Sequence, residues 1–326
     1  MKRTLSFALS GAALLLMLLS LTLGPSHIQL SDTLAILAGK GGSANQSYII
    51  WQLRLPRILS SFLTGAILGL SGAVFQAALR NPMADPFILG ISSGASFGVA
   101  FALFVGFAPL FGLPSSALIG ALLTTLCIVF LASRRKNSST TLLLTGVAFN
   151  YILSSGMTLL MFLHKEQYQR ILFWTLGSFS SSTYAQVIVV FIAWIALFIP
   201  VSLKHQSMDM LLLDELSARA GGLSVKRTRI ALLMLASFAT ALCVSYFGVI
   251  GFIGLMAPHT TRLLVGPKHQ NLLLPSSLFG GFLLLASDTL SRILLPSGEL
   301  PVGIITSLLG VPLFIYLLRR GRYFYG

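Results

Sequence analysis

The sequence predicts an all-α membrane protein of about ten transmembrane helices with both termini in the cytoplasm, and three observations carry that expectation. Of the 326 residues, 55% are apolar and 9% charged, whereas a soluble domain carries about a quarter charged residues. The apolar residues fall in runs of about 20, which at 1.5 Å per residue cross a hydrocarbon layer of about 30 Å. Finally, 22 Lys and Arg against 8 Asp and Glu are shared unequally between alternate connecting segments. A net charge of +14 spread over so apolar a chain suits a membrane surface and not nucleic acid. A water-soluble enzyme is excluded.

The first run, residues 5–23, follows Met1-Lys2-Arg3 and has the basic start and Leu-rich centre of a secretory signal. No small-x-small cleavage site follows, since Gly24-Pro25-Ser26-His27 comes next, so the run is read as span 1. Spans 2 to 6 fall at residues 58–79, 87–105, 115–132, 142–163 and 185–203. Spans 7 to 10 fall at 230–247, 249–265, 272–295 and 302–318. Tyr246-Phe247-Gly248-Val249-Ile250-Gly251 leaves almost no polar turn between spans 7 and 8, so one of them is short or re-entrant. Residues 1–326 are read as a single transmembrane unit. Cys127 and Cys243 sit in separate apolar runs without a second ligand, so neither a disulfide nor a metal site is expected.

Cytoplasmic loops retain Lys and Arg. With the N-terminus inside and ten spans, the inner segments hold 16 of the 22 basic residues, among them Arg80, Arg134, Arg135, Lys136, Arg219, Lys226 and Arg322. Outside remain Lys40, Arg54, Arg57, Lys165, Arg170 and Arg292, and the acids divide evenly. Two connecting stretches are long: the outer residues 25–57 and the inner residues 204–229.

Several residues depart from a plain apolar bundle. Gly65, Gly69 and Gly72, then Gly90, Gly94 and Gly98, have the spacing that lets helices pack closely in lipid. Ser92, Ser93 and Ser96 between the latter either belong to that packing or line a wet path, and the same choice applies to Asn150 with Ser154 and Ser155 in span 5. Gln76 precedes Arg80-Asn81-Pro82-Met83-Ala84-Asp85-Pro86, where two prolines predict a bent, non-helical passage: a plain turn, a gate or a docking contact. Asp214 and Glu215 begin a short run of helix formers that Gly221-Gly222 ends, the composition of a brief surface helix. That helix is expected to bury Leu213, Leu216 and Ala220, against the protein's own inner face or against a cytoplasmic partner. Asp288 and Arg292 are spaced to pair across one helical turn. Arg54, Arg57 and Arg292 either snorkel to headgroups or form a recess for a partner's carboxylates.

No phosphate loop is present, since Gly39-Lys40 is followed by Gly41, and neither H-E-x-x-H nor G-x-S-x-G occurs. An enzyme is therefore not expected, and energy for uphill transport has to come from another subunit or from an ion gradient. A gradient-driven transporter is the alternative, but the only acid within a span, Asp288, lies near its outer end beside Arg292.

Taken together, Arg54-Leu55-Pro56-Arg57, Gly69-Leu70-Ser71-Gly72-Ala73-Val74-Phe75-Gln76, Asn81-Pro82-Met83-Ala84-Asp85-Pro86 and Leu89-Gly90-Ile91-Ser92-Ser93-Gly94-Ala95 form an ordered set of motifs. Leu216-Ser217-Ala218-Arg219-Ala220, Gly251-Phe252-Ile253-Gly254-Leu255 with Pro258-His259, and Glu299-Leu300-Pro301-Val302-Gly303 continue it. In this order and spacing the chain resembles the FecCD-type membrane subunits of ATP-driven importers for iron-siderophore complexes, haem and vitamin B12. The resemblance implies a type II importer permease fold in the inner membrane, paired with a second copy or a paralogous permease. It also implies two ATPase subunits, which would hold the ATP and Mg while this subunit binds no cofactor, and a periplasmic or extracellular binding protein that delivers a metal chelate. By the same resemblance, Arg54, Arg57 and Arg292 meet the binding protein, and reversing the first two to Glu is expected to abolish uptake and docking while leaving ATPase assembly intact. Asn81, Met83, Ser139 and Thr140 form the cytoplasmic gate, the last two between spans 4 and 5. Asp214, Glu215, Leu216, Ser217, Ala218, Arg219, Ala220 and Gly221 belong to the coupling helix, where Gly221-Gly222 departs from a commoner single glycine. Gln76, Ser92, Ser93, Ser96 and Asn150 are the pore-lining candidates.

Overall fold

The computed structural model describes residues 2–24, 26, 28–134, 139–295 and 298–320, so Arg135, Lys136 and Arg322 lie outside the described residues. All regular structure among the described residues is helical. Among the described residues, seven helices are long and apolar enough to cross a membrane: those within Lys2–Thr22 (α1), Ala44–Leu79, Ala108–Arg134 (α6), Ser139–Leu163 (α7), Tyr184–Leu203 (α9), Val225–Phe247 (α12) and His269–Ile293 (α14). Ile91–Val105 (α5), Ile253–Val265 (α13) and Val302–Arg320 (α15) complete the ten predicted apolar helices. At 13 residues α13 rises only about 20 Å, so the eighth predicted span is the short one of its pair.

The long connecting stretch 25–57 is largely helical. It folds into Leu30–Leu37 (α2) and Ala44–Tyr48 (α3), the latter closed by a capping box between Ser43 and Gln46. A π-helical turn, Ile49–Arg54, then runs without a break into Leu55–Leu79 (α4). Pro56 follows this turn inside the continuous helix, where its missing N–H removes a ladder hydrogen bond next to the π-helical widening. Arg54 and Arg57 are consequently helical residues and not part of a loop. Ser139 and Thr140 likewise begin α7 instead of lying between helices.

α4 is the central element, with nearly every residue from Thr64 to Leu79 buried. Its glycine stripe explains how this is possible. A Cβ on Gly65 would run into the backbone of Gly280, one on Gly69 into Ser276, and one on Gly72 into Gly254. α4 therefore lies backbone to backbone on α14 and α13, the arrangement small residues permit in lipid. Gly94 and Gly98 bring α5 against Gly120 and Ser116 of α6 in the same way. The stretch with the two prolines bends as expected. Arg80 ends α4 in the left-handed conformation (φ 50°, ψ 39°), a turn follows, Pro86–Leu89 forms a single 3-10 turn capped by Asp85, and Gly90 (φ 74°) starts α5.

Tyr168–Thr175 (α8) connects α7 to α9. His205–Leu211 (α10) and Glu215–Ala220 (α11) follow α9, and Asp214 caps α11 by accepting the Ser217 N–H at 2.9 Å.

Candidate functional site

Three regions carry the residues singled out above. At one end of the bundle, the arginines are inside. Arg57 Nε and Nη2 donate to Asp288 at 2.9–3.1 Å, and Nη1 donates to Glu299 at 2.7 and 2.9 Å. Asp288 is fully buried, Arg57 is 7% exposed and the Glu299 side chain is 32% exposed. Arg292 lies 3.5 Å from Asp288, so the expected i,i+4 pair exists, yet Asp288 is held chiefly by Arg57. Arg292 also donates to the Ser20 carbonyl and hydroxyl, and Arg54 donates to the carbonyls of Leu21 and Ser26, each at 2.5 Å. All three guanidiniums thus tie the end of α1 and the 298–300 segment to α4 and α14. They are buried and already engaged within the chain, so a partner's carboxylate could reach one only by displacing an internal acceptor. Reversing Arg54 and Arg57 would accordingly unfold this end rather than remove docking alone. The ion pairing of Asp288 also ties up the one acid that lies within a predicted span.

The second region is a cleft of about 500 Å³ beside α7. Ser92, Ser93, Ser96 and Asn150, which the sequence offered separately, line it together, joined by Asp85, Ser154, Met157, Thr175 and Val249. Ser93 Oγ donates to Asn150 Oδ1 at 2.6 Å, bridging α5 and α7. Gln76 is elsewhere: it is 1% exposed and donates to the Leu255 carbonyl at 3.3 Å, at the contact of α4 with α13. Asp85 is the one acid on the cleft. Burial pushes its carboxyl up to about 6, against the opposing hydrogen bond from the Phe87 N–H. The rest of the lining mixes hydroxyls and an amide with the apolar Phe87, Ile88, Met157 and Val249. Asn81 and Met83 precede this lining on the same passage. Asn81 Oδ1 accepts the Met83 N–H at 2.9 Å, fixing the turn, and the Met83 side chain is 40% exposed. Ser139 and Thr140 start the helix that leans on this passage, since Gly146 of α7 lies against the Ile88 carbonyl. α7 is otherwise poorly covered, with Leu142, Gly146 and Met161 its only buried residues among those described.

The third region is the α10–α11 pair. The expected helix with acids at its start is present, but its apolar residues are arranged the other way round. Ala218 is fully buried, whereas Leu216 is 80% and Leu213 51% exposed, and Ala220 is exposed too. Leu213, Leu216 and Ala220 are therefore not buried against the chain itself. Hydrogen bonds from Ser217 hold the Asp214 carboxyl below its ordinary range. The Arg219–Glu215 pair across one turn, at 2.6 Å, is solvent-exposed and contributes little. α10, which no sequence signal marked, fastens this pair to the bundle. Arg80 Nε donates to the Leu211 carbonyl at 2.6 Å, and Asp209 Oδ1 accepts from the His269 N–H at 3.0 Å and pairs with Nδ1 at 2.6 Å. Burial pushes the Asp209 carboxyl up, but these bonds outweigh it and hold the group below its usual range.

Membrane-length helices beside a cleft of mixed polar and apolar lining, with an exposed short helix at one end, are the parts a transport subunit needs. The chain belongs to the FecCD transport family, whose model matches residues 12–320, and it is a multi-pass protein of the inner membrane. It is 41% identical over 277 residues to an iron chelatin transport system permease protein of Helicobacter pylori, covering 85% of this chain and 84% of that one. To the vitamin B12 import system permease protein BtuC of Citrobacter koseri it is 38% identical over 323 residues, covering 97% and 94%. It also resembles a solved structure described as an inward-facing conformation of a metal-chelate type ABC transporter, with a TM-score of 0.88 and 32% identity over 98% of this chain and 100% of that one.

Proposed function

We propose that this permease works as one half of a two-fold pair, a second copy of itself being the simplest partner, to import a metal chelate, with a ferric siderophore as first choice and haem and cobalamin behind it. The cleft beside α7 is its share of the path. Two such halves facing one another would enclose roughly 1,000 Å³, at the upper end of pockets that hold drug-sized molecules. A lining of hydroxyls, one amide and apolar side chains with a single acid suits a bulky solute that has to leave again. The α11 end faces the cytoplasm in this reading, where the passage at Asn81 and Met83 and the start of α7 at Ser139 and Thr140 close the path. A binding protein docks at the other end, its carboxylates competing with Glu299 for Arg57, the most exposed of the three arginines.

The observation that carries the reading is the inverted burial of α11. A six-residue helix cannot stand alone; it is pinned by Ala218 while presenting Leu213, Leu216 and Ala220 outward. That face fits a groove on a separate ATP-hydrolysing subunit by the helix-in-groove mode. The residues Asp214 to Gly221 are its contact. Leu216→Asp is expected to leave the permease folded, because the side chain touches little of its own chain, and to lower ATP-driven uptake by at least tenfold, as the loss of a buried apolar anchor of about 2 kcal/mol would. Uptake measured in proteoliposomes containing the ATPase subunits checks this; unaltered uptake would remove α11 from the contact.

A further inference from the structure

Arg80 is an odd choice for a purely structural position. It ends α4 in a left-handed conformation that glycine adopts without strain and that costs a side-chain-bearing residue about 1–2 kcal/mol. Its Nη2 is buried without a hydrogen-bond partner, a further penalty. In return the side chain makes one hydrogen bond, from Nε to the Leu211 carbonyl. Static stability is poorly served by that exchange, so the reason for arginine lies in what the bond connects.

It connects two ends of a chain of rigid parts. Leu211 closes α10, whose Met208 and Leu211 side chains are fully buried, and α10 runs directly into the α11 segment. Arg80 is the last residue before the Asn81–Asp85 passage, which leads into the cleft. The second tie, from Asp209 to His269, joins α10 to the first residue of α14, with His269 1% exposed. α4 and α14 are locked backbone to backbone through Gly65 and Gly69, so α10 cannot shift without moving their shared end.

We propose that Arg80 is a positioning residue of the transport cycle: its bond to Leu211, seconded by Asp209–His269, transmits displacement of the α11 segment into the Asn81–Asp85 passage and so to the mouth of the cleft. This rests on the reading that an ATPase subunit grips α11. Arg80 touches neither cargo nor ATPase in this arrangement and acts through the passage it borders.

The test uses the permease reconstituted with its ATPase subunits and binding protein, comparing wild type, Arg80→Gly and Arg80→Lys for heat stability, ATPase assembly, ATP hydrolysis and cargo imported per ATP. Arg80→Gly relieves the left-handed backbone and is expected to be at least as heat-stable as wild type, to assemble and to hydrolyse ATP. Its cargo imported per ATP should fall about tenfold, the shift expected when one charge-assisted hydrogen bond that distinguishes two states is lost. Arg80→Lys, whose ammonium can still donate to the Leu211 carbonyl, should recover part of it. Wild-type coupling in Arg80→Gly, or a loss accompanied by lower heat stability and not relieved by lysine, would overturn the proposal. Failure of the wild-type permease to assemble with any ATPase would instead overturn the reading beneath it.

Discussion

Arg57→Ala is expected to lower the stability of the folded permease by about 3–5 kcal/mol, the cost of breaking a buried ion pair by removing one partner. Asp288 has no exposure, and without Arg57 its nearest cation is Arg292 at 3.5 Å, which is already engaged with the end of α1. Glu299 would lose both of its hydrogen bonds to the guanidinium and with them the anchor of the segment leading into α15. Arg57→Lys should recover little, because one ammonium cannot serve two carboxylates from the position of a forked guanidinium. Denaturant titration of the purified protein in detergent would measure the loss. If Arg57→Leu with Asp288→Leu proved markedly more stable than Arg57→Ala, the cost would be assigned to the orphaned carboxylate. A fully stable Arg57→Ala would show that water reaches Asp288 after all.

Gly72→Leu is expected to prevent folding outright. A Cβ at Gly72 already collides with the carbonyl, Cα and carbonyl carbon of Gly254, and these are backbone atoms that cannot rotate aside. Even Gly72→Ala has to push α13 off α4, costing at least the 1–3 kcal/mol typical of overpacking in a close-packed interior. The control is Gly11→Ala on α1. Nothing lies within 4 Å of a Cβ there, and alanine is favoured over glycine in a helix by up to about 1 kcal/mol. Yields of monodisperse protein after membrane extraction separate the two: Gly11→Ala should match wild type and Gly72→Leu should give none.

Much of this architecture was legible because it is written locally. Apolar runs mark the spans, the two prolines around Asn81 to Asp85 force the bend, Asp214 and Gly221-Gly222 bracket α11, and Gly65, Gly69 and Gly72 announce a close contact. What was not legible depends on partners remote in sequence. Arg57 looks like a surface arginine until Asp288, 231 positions away, is brought to it by the packing of α4 on α14. Asn45, Gln46 and Arg54 interrupt the apolar pattern and hid the helical extension from Ala44 onward, whose only local signal was the capping pair Ser43 and Gln46. Leu216 obeys no periodic rule in six residues, so burial was the natural expectation and exposure the informative result. Of the pore-lining candidates, the serines of α5 and Asn150 converge because α7 crosses α5 at Ser93, while Gln76, equally polar in sequence, is turned into the α4–α13 contact.

Uptake of a labelled ferric siderophore, haem or cobalamin into liposomes tests most directly whether a separate ATPase works the permease. With the permease, its binding protein, the ATPase subunits and ATP all present, at least one of these cargoes should accumulate, and omission of the ATPase or ATP should abolish accumulation even under an imposed ion gradient. Accumulation by the permease alone, driven by that gradient, would contradict the account.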